Sequence, residues 1–141
     1  MRIAVIRLKG SFSIGPDIKK TLTSFKLDRL YSCTLVVDNE STRGMLQTVK
    51  DFVAYGPVEN DTISLLLLKR GKKGGKKLSQ AEADKLAIEI SSSGKKLSDH
   101  GVSPVFFLSP PQGGFGSRKT HVPFGPVGKN PQIAELISRM A

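Results

Sequence analysis

The amino-terminal run from Arg2 to Leu8 constrains the fold of this chain more than any other stretch. Its apolar residues fall on both alternating faces, Ile3 and Val5 on one and Ala4, Ile6 and Leu8 on the other. Successive side chains of a strand point to opposite sides of a sheet, so a run apolar on both sides fits a central strand. Short units of helix-like and strand-like spacing follow, the pattern of a small α+β domain. Gly10 to Gly15 turns the chain and Pro16 stands where a first helical residue is favoured. Ile18, Leu22 and Phe25 then mark one helical face, which ends near Leu27. Cys33 to Val37 is a second strand closed by Asp38 and Asn39. Ser41 or Thr42 can then cap a helix carrying Met45, Val49, Phe52 and Val53. Gly56-Pro57 stops that helix, and residues 57–60 are short enough only for an edge strand.

Beyond residue 60 the elements are less regular. Asp61 to Lys69, with Ile63 and the run Leu65 to Leu68, favours a helix over a strand because it opens on polar residues and closes on Gly71. Lys69 to Lys77 reads KRGKKGGKK, six positive charges and three glycines in nine residues with no acid, which predicts a solvated loop until an anion neutralises it. Ser79 and Glu82 have capping-box spacing ahead of a helix from about Gln80 to Ile90. Val105 to Leu108 reads as a short strand that emerges into a Gly/Pro arm over residues 109–129. The stretch from 110 to 129 holds five glycines and four prolines, a composition that denies it a regular ladder. Asn130-Pro131 looks like a cap and first position for a terminal helix over 131–140, with Ile133, Leu136, Ile137 and Met140 on one face.

Charge narrows the class of partner. The 141 residues include 22 Lys and Arg against 12 Asp and Glu, a net charge of +10, and the positive surface favours a polyanion. Nucleic acid is the usual one, although charge alone leaves an acidic membrane or simple solubility open. Cys33 is the single cysteine, so a disulfide framework is impossible. The apolar stretch of the amino terminus is too short and too interrupted by Arg2, Arg7 and Lys9 for a signal sequence or a membrane span, and a cytoplasmic protein is expected.

Spacing removes the common catalytic and cofactor motifs. A P-loop needs Gly five residues before its Gly-Lys pair and Ser or Thr after it, and Arg70 and Lys77 occupy those positions. Gly113, Gly114 and Gly116 lack dinucleotide-fingerprint spacing and follow two prolines where a helix should open. Beside Lys and Arg, glycine instead permits close backbone approach to phosphates, so both glycine clusters suit RNA, with a merely solvated loop as the alternative. Phe115 and Phe124 could stack on unpaired bases or fold back onto the domain, whereas Phe25 and Phe52 lie on helical faces and belong to the core. Cys33 sits mid-strand as a small hydrophobe. His100 and His121 have no partner at metal-ligand spacing, and Asp17, Asp38 and Asp61 are explained as caps and turns. No active site and no cofactor is expected.

The order of motifs is more specific than any one of them. AVIRLKG, the Pro-led helix with Thr21-Leu22 and Leu27, the CTLVVDN strand and above all TRGMLQTVKDFVAYG at 42–56 resemble the large-subunit ribosomal protein L-thirty family, which includes the eukaryotic L-seven proteins. The tail VSPVFFLSPPQGGF at 102–115 is similar to the longer archaeal and eukaryotic type, with Gln112 where that tail usually carries Arg; residues 72–98 match the family poorly. The resemblance implies a β-α-β-α-β core, half of a ferredoxin-like fold, with a three-stranded antiparallel sheet, the first strand central and helices on one face. Residues 1–60 would form this core and 61–141 a carboxyl-terminal extension packed on it.

The same resemblance implies a structural protein of the large ribosomal subunit. It would bind large-subunit rRNA and neighbouring ribosomal proteins, with no enzyme activity, membrane or small-molecule substrate. The alternative is an RNA-binding regulator or modification accessory acting outside the ribosome. The expected RNA-facing residues are Arg43 with Gly44 at the start of the second helix, and Arg7, Lys9, Lys19, Lys20 and Lys50 elsewhere on the core. Lys69, Arg70, Lys72, Lys73, Lys76 and Lys77 are expected in the basic loop, and Gly113, Gly114, Arg118 and Lys119 in the arm. Arg43 is singled out because a cation gains nothing from the dipole at a helix start and so calls for a partner.

Overall fold

A computed structural model describes residues 2–10, 14–93, 97–112 and 127–141. The expected β-α-β-α-β core is present: β1 (Arg2–Arg7), α1 (Pro16–Ser24), β2 (Ser32–Val37), α2 (Glu40–Val49) and β3 (Val53–Val58). β1 is central and fully buried, antiparallel to both neighbours, with Ile6 opposite Cys33 in β2 and Ala54 in β3.

The sheet is larger than expected. After α3 (Asn60–Arg70), β4 (Lys72–Lys73), β5 (Lys76–Lys77) and α4 (Gln80–Ser92), a 3₁₀ turn at Leu97–His100 leads to β6 (Val105–Phe107), β7 (Gly128–Lys129) and α5 (Ile133–Met140). β6 adds antiparallel to β2 and β7 adds parallel to β3, giving five strands in the order β6-β2-β1-β3-β7 in place of three. β3 is therefore an inner strand, and the end of the Gly/Pro arm does enter a ladder.

Helices cover both faces, not one. Ile3, Val5 and Val53 pack with Leu22, Phe25, Leu27, Leu46 and Val49 around α1 and α2. Ala4, Ile6, Leu8, Cys33, Leu35 and Ala54 pack on the other side with residues of α3, α4 and α5, among them Leu66, Leu67, Ile90, Ile133 and Ile137. Each of these large aliphatic side chains contributes roughly 1.5–3 kcal/mol on full burial, so the second half of the chain supplies a layer that the two-faced β1 requires.

Several local boundaries differ from the pattern reading. The second helix ends at Val49, and Phe52 and Val53, expected on it, stand outside: the Phe52 amide donates to the Val49 carbonyl, and the chain enters β3. β1 must satisfy its second edge, and pairing Arg7 with Val53 does so. Asn39, rather than Ser41 or Thr42, caps α2, its Oδ1 accepting from the Thr42 amide at 2.8 Å. The terminal helix begins at Ile133, two residues after the expected Pro131, and Asn130 accepts from the Gln132 amide ahead of it. Gly56 admits that connection, because a Cβ there would lie 2.3 Å from the Asn130 carbonyl oxygen. The Ser79/Glu82 capping box forms as expected.

Candidate RNA-binding surface

The KRGKKGGKK segment is ordered by its own turn chemistry. Lys69 and Arg70 complete the last turn of α3, where cations favour the helix dipole, and Gly71 ends it by donating to the Leu66 and Leu67 carbonyls. A Cβ on Gly71 would meet the Leu67 carbonyl oxygen at 2.4 Å, so this glycine serves the helix end. Lys72-Lys73 and Lys76-Lys77 then pair as an antiparallel hairpin around Gly74 and Gly75, both at positive φ, 60° and 83°. Two consecutive residues at positive φ suit a tight two-residue hairpin turn, which glycine accepts without steric cost. The expected loop is thus a β-hairpin. It is pinned to the body where the Ser103 amide donates to the Lys72 carbonyl at 3.0 Å and Lys73 bridges Val102.

This pairing sets Lys72 opposite Lys77 and Lys73 opposite Lys76. Like charges facing each other across a ladder repel. All four side chains are exposed, and among the described residues none of them, nor Lys69, forms an ion pair with a carboxylate. Arg70 is held differently, donating from Nη2 to the Ser109 hydroxyl at 2.7 Å. The result is a concentrated positive field with no paired carboxylate among the described residues.

The start of α2 is less simple than expected. Arg43 has a partner within the chain, Asp38, reached by Nε at 2.7 Å and Nη2 at 3.0 Å in a forked pair. Those hydrogen bonds and the guanidinium charge hold the Asp38 carboxyl below the usual range. With Asp38 and Glu40 beside the helix start and Asn39 on the Thr42 amide, anion capture by the helix amides is weakened. The Arg43 side chain nevertheless stays 67% exposed. Gly44 is also exposed, and a Cβ there would meet nothing within 4 Å.

The remaining expected residues divide. Lys19 and Lys20 on α1 and Lys50 at the end of α2 are exposed, and Lys9 lies over the Phe52 ring at 5.7 Å. Arg7 is a correction: it is 3% exposed, with Nη1 donating to the Leu27 carbonyl at 2.7 Å and Nε to the Lys9 carbonyl at 2.9 Å. Its guanidinium holds the chain after α1 against β1. Gly113, Gly114, Arg118 and Lys119, with Phe115, Phe124 and His121, lie outside the described residues.

Two residues near the hairpin escaped pattern reading. Phe107 on β6 is 51% exposed, and the Arg29 guanidinium sits over its ring at 5.0 Å. The doublet Phe106-Phe107 held the signal, since neighbours on a strand face opposite ways and only Phe106 enters the core. Cys33 is fully buried, its thiol pushed up to about 12 by burial, which makes it inert as a nucleophile. His100 lies beside the Ser93 hydroxyl and 3.6 Å from Glu89. Among the described residues there is no group of three metal-ligating side chains and no helix long and apolar enough to cross a membrane.

The family described as Ribosomal protein L30p/L7e matches residues 3–53, the stretch from β1 to the start of β3. Similarity to individual proteins runs much further. The large ribosomal subunit protein uL30 of Methanothrix thermoacetophila is 36% identical over 148 residues, covering 97% of this chain and 98% of its own. Its counterpart in Archaeoglobus fulgidus is 37% identical over 151 residues, with 97% and 98% covered. That of Methanococcus maripaludis is 33% identical over 153 residues, with 99% of each covered. Because the likeness extends through the hairpin, α4 and α5 as well as the β-α-β-α-β unit, the chain belongs to the L30p/L7e family of ribosomal proteins.

Proposed function

We propose that this protein is a structural constituent of the large ribosomal subunit that binds and bridges large-subunit rRNA, acting in the cytoplasm within the ribosome and beside neighbouring ribosomal proteins. The observation that carries the reading is the hairpin, which holds four exposed lysines in two facing pairs with no carboxylate paired to them among the described residues. Phosphates supply that counter-charge, and each one engaged releases condensed cations. Arg43, exposed at the start of α2, forms a second contact point well separated in sequence: Asp38 holds its Nε and Nη2, and the remaining guanidinium N–H groups are left for a phosphate.

The protein contributes geometry and charge, not chemistry. Two elements of one folded body, the β4–β5 hairpin and the start of α2, each gripping RNA, fix the distance between the segments they hold. Gly44 supports the placement of the second grip. A helix-interior glycine costs roughly 0.8–1 kcal/mol relative to alanine, and among the described residues no atom lies within 4 Å of where its Cβ would be, which supports a close external surface there. The test is reconstitution of large subunits with Arg43→Glu protein. Reduced incorporation with an unchanged circular dichroism spectrum is expected, and full incorporation would overturn the role of this helix.

A further inference from the structure

On the side of the hairpin that faces β6, the cationic wall borders an exposed aromatic ring. Lys69, Arg70, Lys72 and Lys77 line a groove together with Val105 and Phe107 of β6. Phe107 is about half exposed beside these cations, with the Arg29 guanidinium over its ring at 5.0 Å, the pairing in which an aromatic face attracts a cation. β6 is also an edge strand, so nothing in the sheet lies beyond it.

We infer that this groove is a seat for one unpaired nucleotide, whose base extends the Arg29–Phe107 stack while its flanking phosphates lie against Lys69, Arg70, Lys72 and Lys77. Four cations and no carboxylate on the groove wall select a polyanion over a protein strand as the occupant. A flat apolar ring bracketed by a guanidinium is the surface on which splayed-out bases stack, and a continuous duplex keeps its base faces inside the helix. The groove therefore reads strandedness rather than sequence, because every base has a π-face.

This inference rests on the RNA-binding reading above and deepens it. The experiment uses the full chain and two probes: a twelve-nucleotide single strand of mixed sequence with a central 2-aminopurine, and a duplex of the same length. Phe107→Leu is expected to weaken single-strand binding by roughly 5- to 150-fold, the equivalent of one base stack, and to abolish the fluorescence change of the probe. Phe107→Tyr keeps both, and the duplex binds all three proteins alike. Single-strand binding and fluorescence indifferent to Phe107→Leu would overturn the stack while leaving the ribosomal role standing. So would a Phe107→Leu protein that loses incorporation into subunits but binds the single strand normally, which would assign the β6 edge to a neighbouring protein. Failure of the wild-type chain to bind either probe would overturn both readings together.

Discussion

Replacing Lys72, Lys73, Lys76 and Lys77 together by Gln tests the electrostatic reading quantitatively. In the free protein the change removes two like-charge pairs from the β4–β5 ladder and leaves Gly74, Gly75 and the Ser103–Lys72 backbone bond untouched, so the hairpin is retained or slightly stabilised. In the complex, each lysine engaged with a phosphate contributes about 0.7 to 0.9 to the slope of log affinity against log salt. Four contacts set a loss of about three in that slope, and a loss of about three decades of affinity near 0.1 M salt, with the variant and wild-type lines converging as salt approaches 1 M. The assay is a filter-binding titration on large-subunit rRNA between 50 and 400 mM salt, with thermal melting of the free proteins alongside. Parallel lines of equal slope would refute the phosphate contacts even if affinity fell. A reduced slope with a collapsed melting transition would locate the effect in folding instead.

Two further substitutions separate stability from binding. Gly44→Ala should stabilise the free protein by about 0.5–1 kcal/mol in denaturant melts, since the added methyl meets open space in a helical backbone, yet weaken association with large-subunit rRNA; a gain in stability with unchanged rRNA affinity would remove the close-approach argument. Arg2→Met should destabilise by about 2–4 kcal/mol, because Arg2 is 2% exposed and donates to the Ile90 and Ser93 carbonyls at the end of α4, and methionine fills the volume without satisfying them; a melt within 0.5 kcal/mol of wild type, on the scale of a surface substitution, would show that those carbonyls find other partners.

The core unit was legible because local signals and tertiary needs agree there. Pro16 opening α1, the apolar spacing of Ile18 and Leu22, and β-branched runs on either side of turns all describe the same β-α-β-α-β order. The signals failed where one residue type serves two states. Val49, Phe52 and Val53 continue a helical spacing, but β1 has a second edge to fill, and that long-range demand takes Val53 into β3. β7 was invisible for a similar reason. Gly128 and Lys129 carry no strand propensity, and they pair because Gly56 on the opposite strand lets the chain come close enough for the Asn130 amide to reach the Tyr55 carbonyl.

At the candidate site, charge was readable and its geometry was not. Counting lysines found the segment from Lys69 to Lys77 but could not distinguish a repelling loop from a hairpin, although Gly74-Gly75 between two lysine pairs is itself a tight-turn signal. Counting also treated every arginine as available. β1 shows why it is not: a strand covered on both faces has no outward side, so its two arginines must be accommodated within the protein, Arg2 on the end of α4 and Arg7 on the turn after α1. Burial lowers the pKa of both groups, with Asp28 opposing it at Arg7, and each is held by carbonyl oxygens, the arrangement a charge needs to survive inside. The same two-sided burial that made the strand recognisable as central thus also takes its cations away from the surface. The exposed cations of the end of α3, the hairpin and the first turn of α2 lie instead on elements whose backbone needs are met elsewhere.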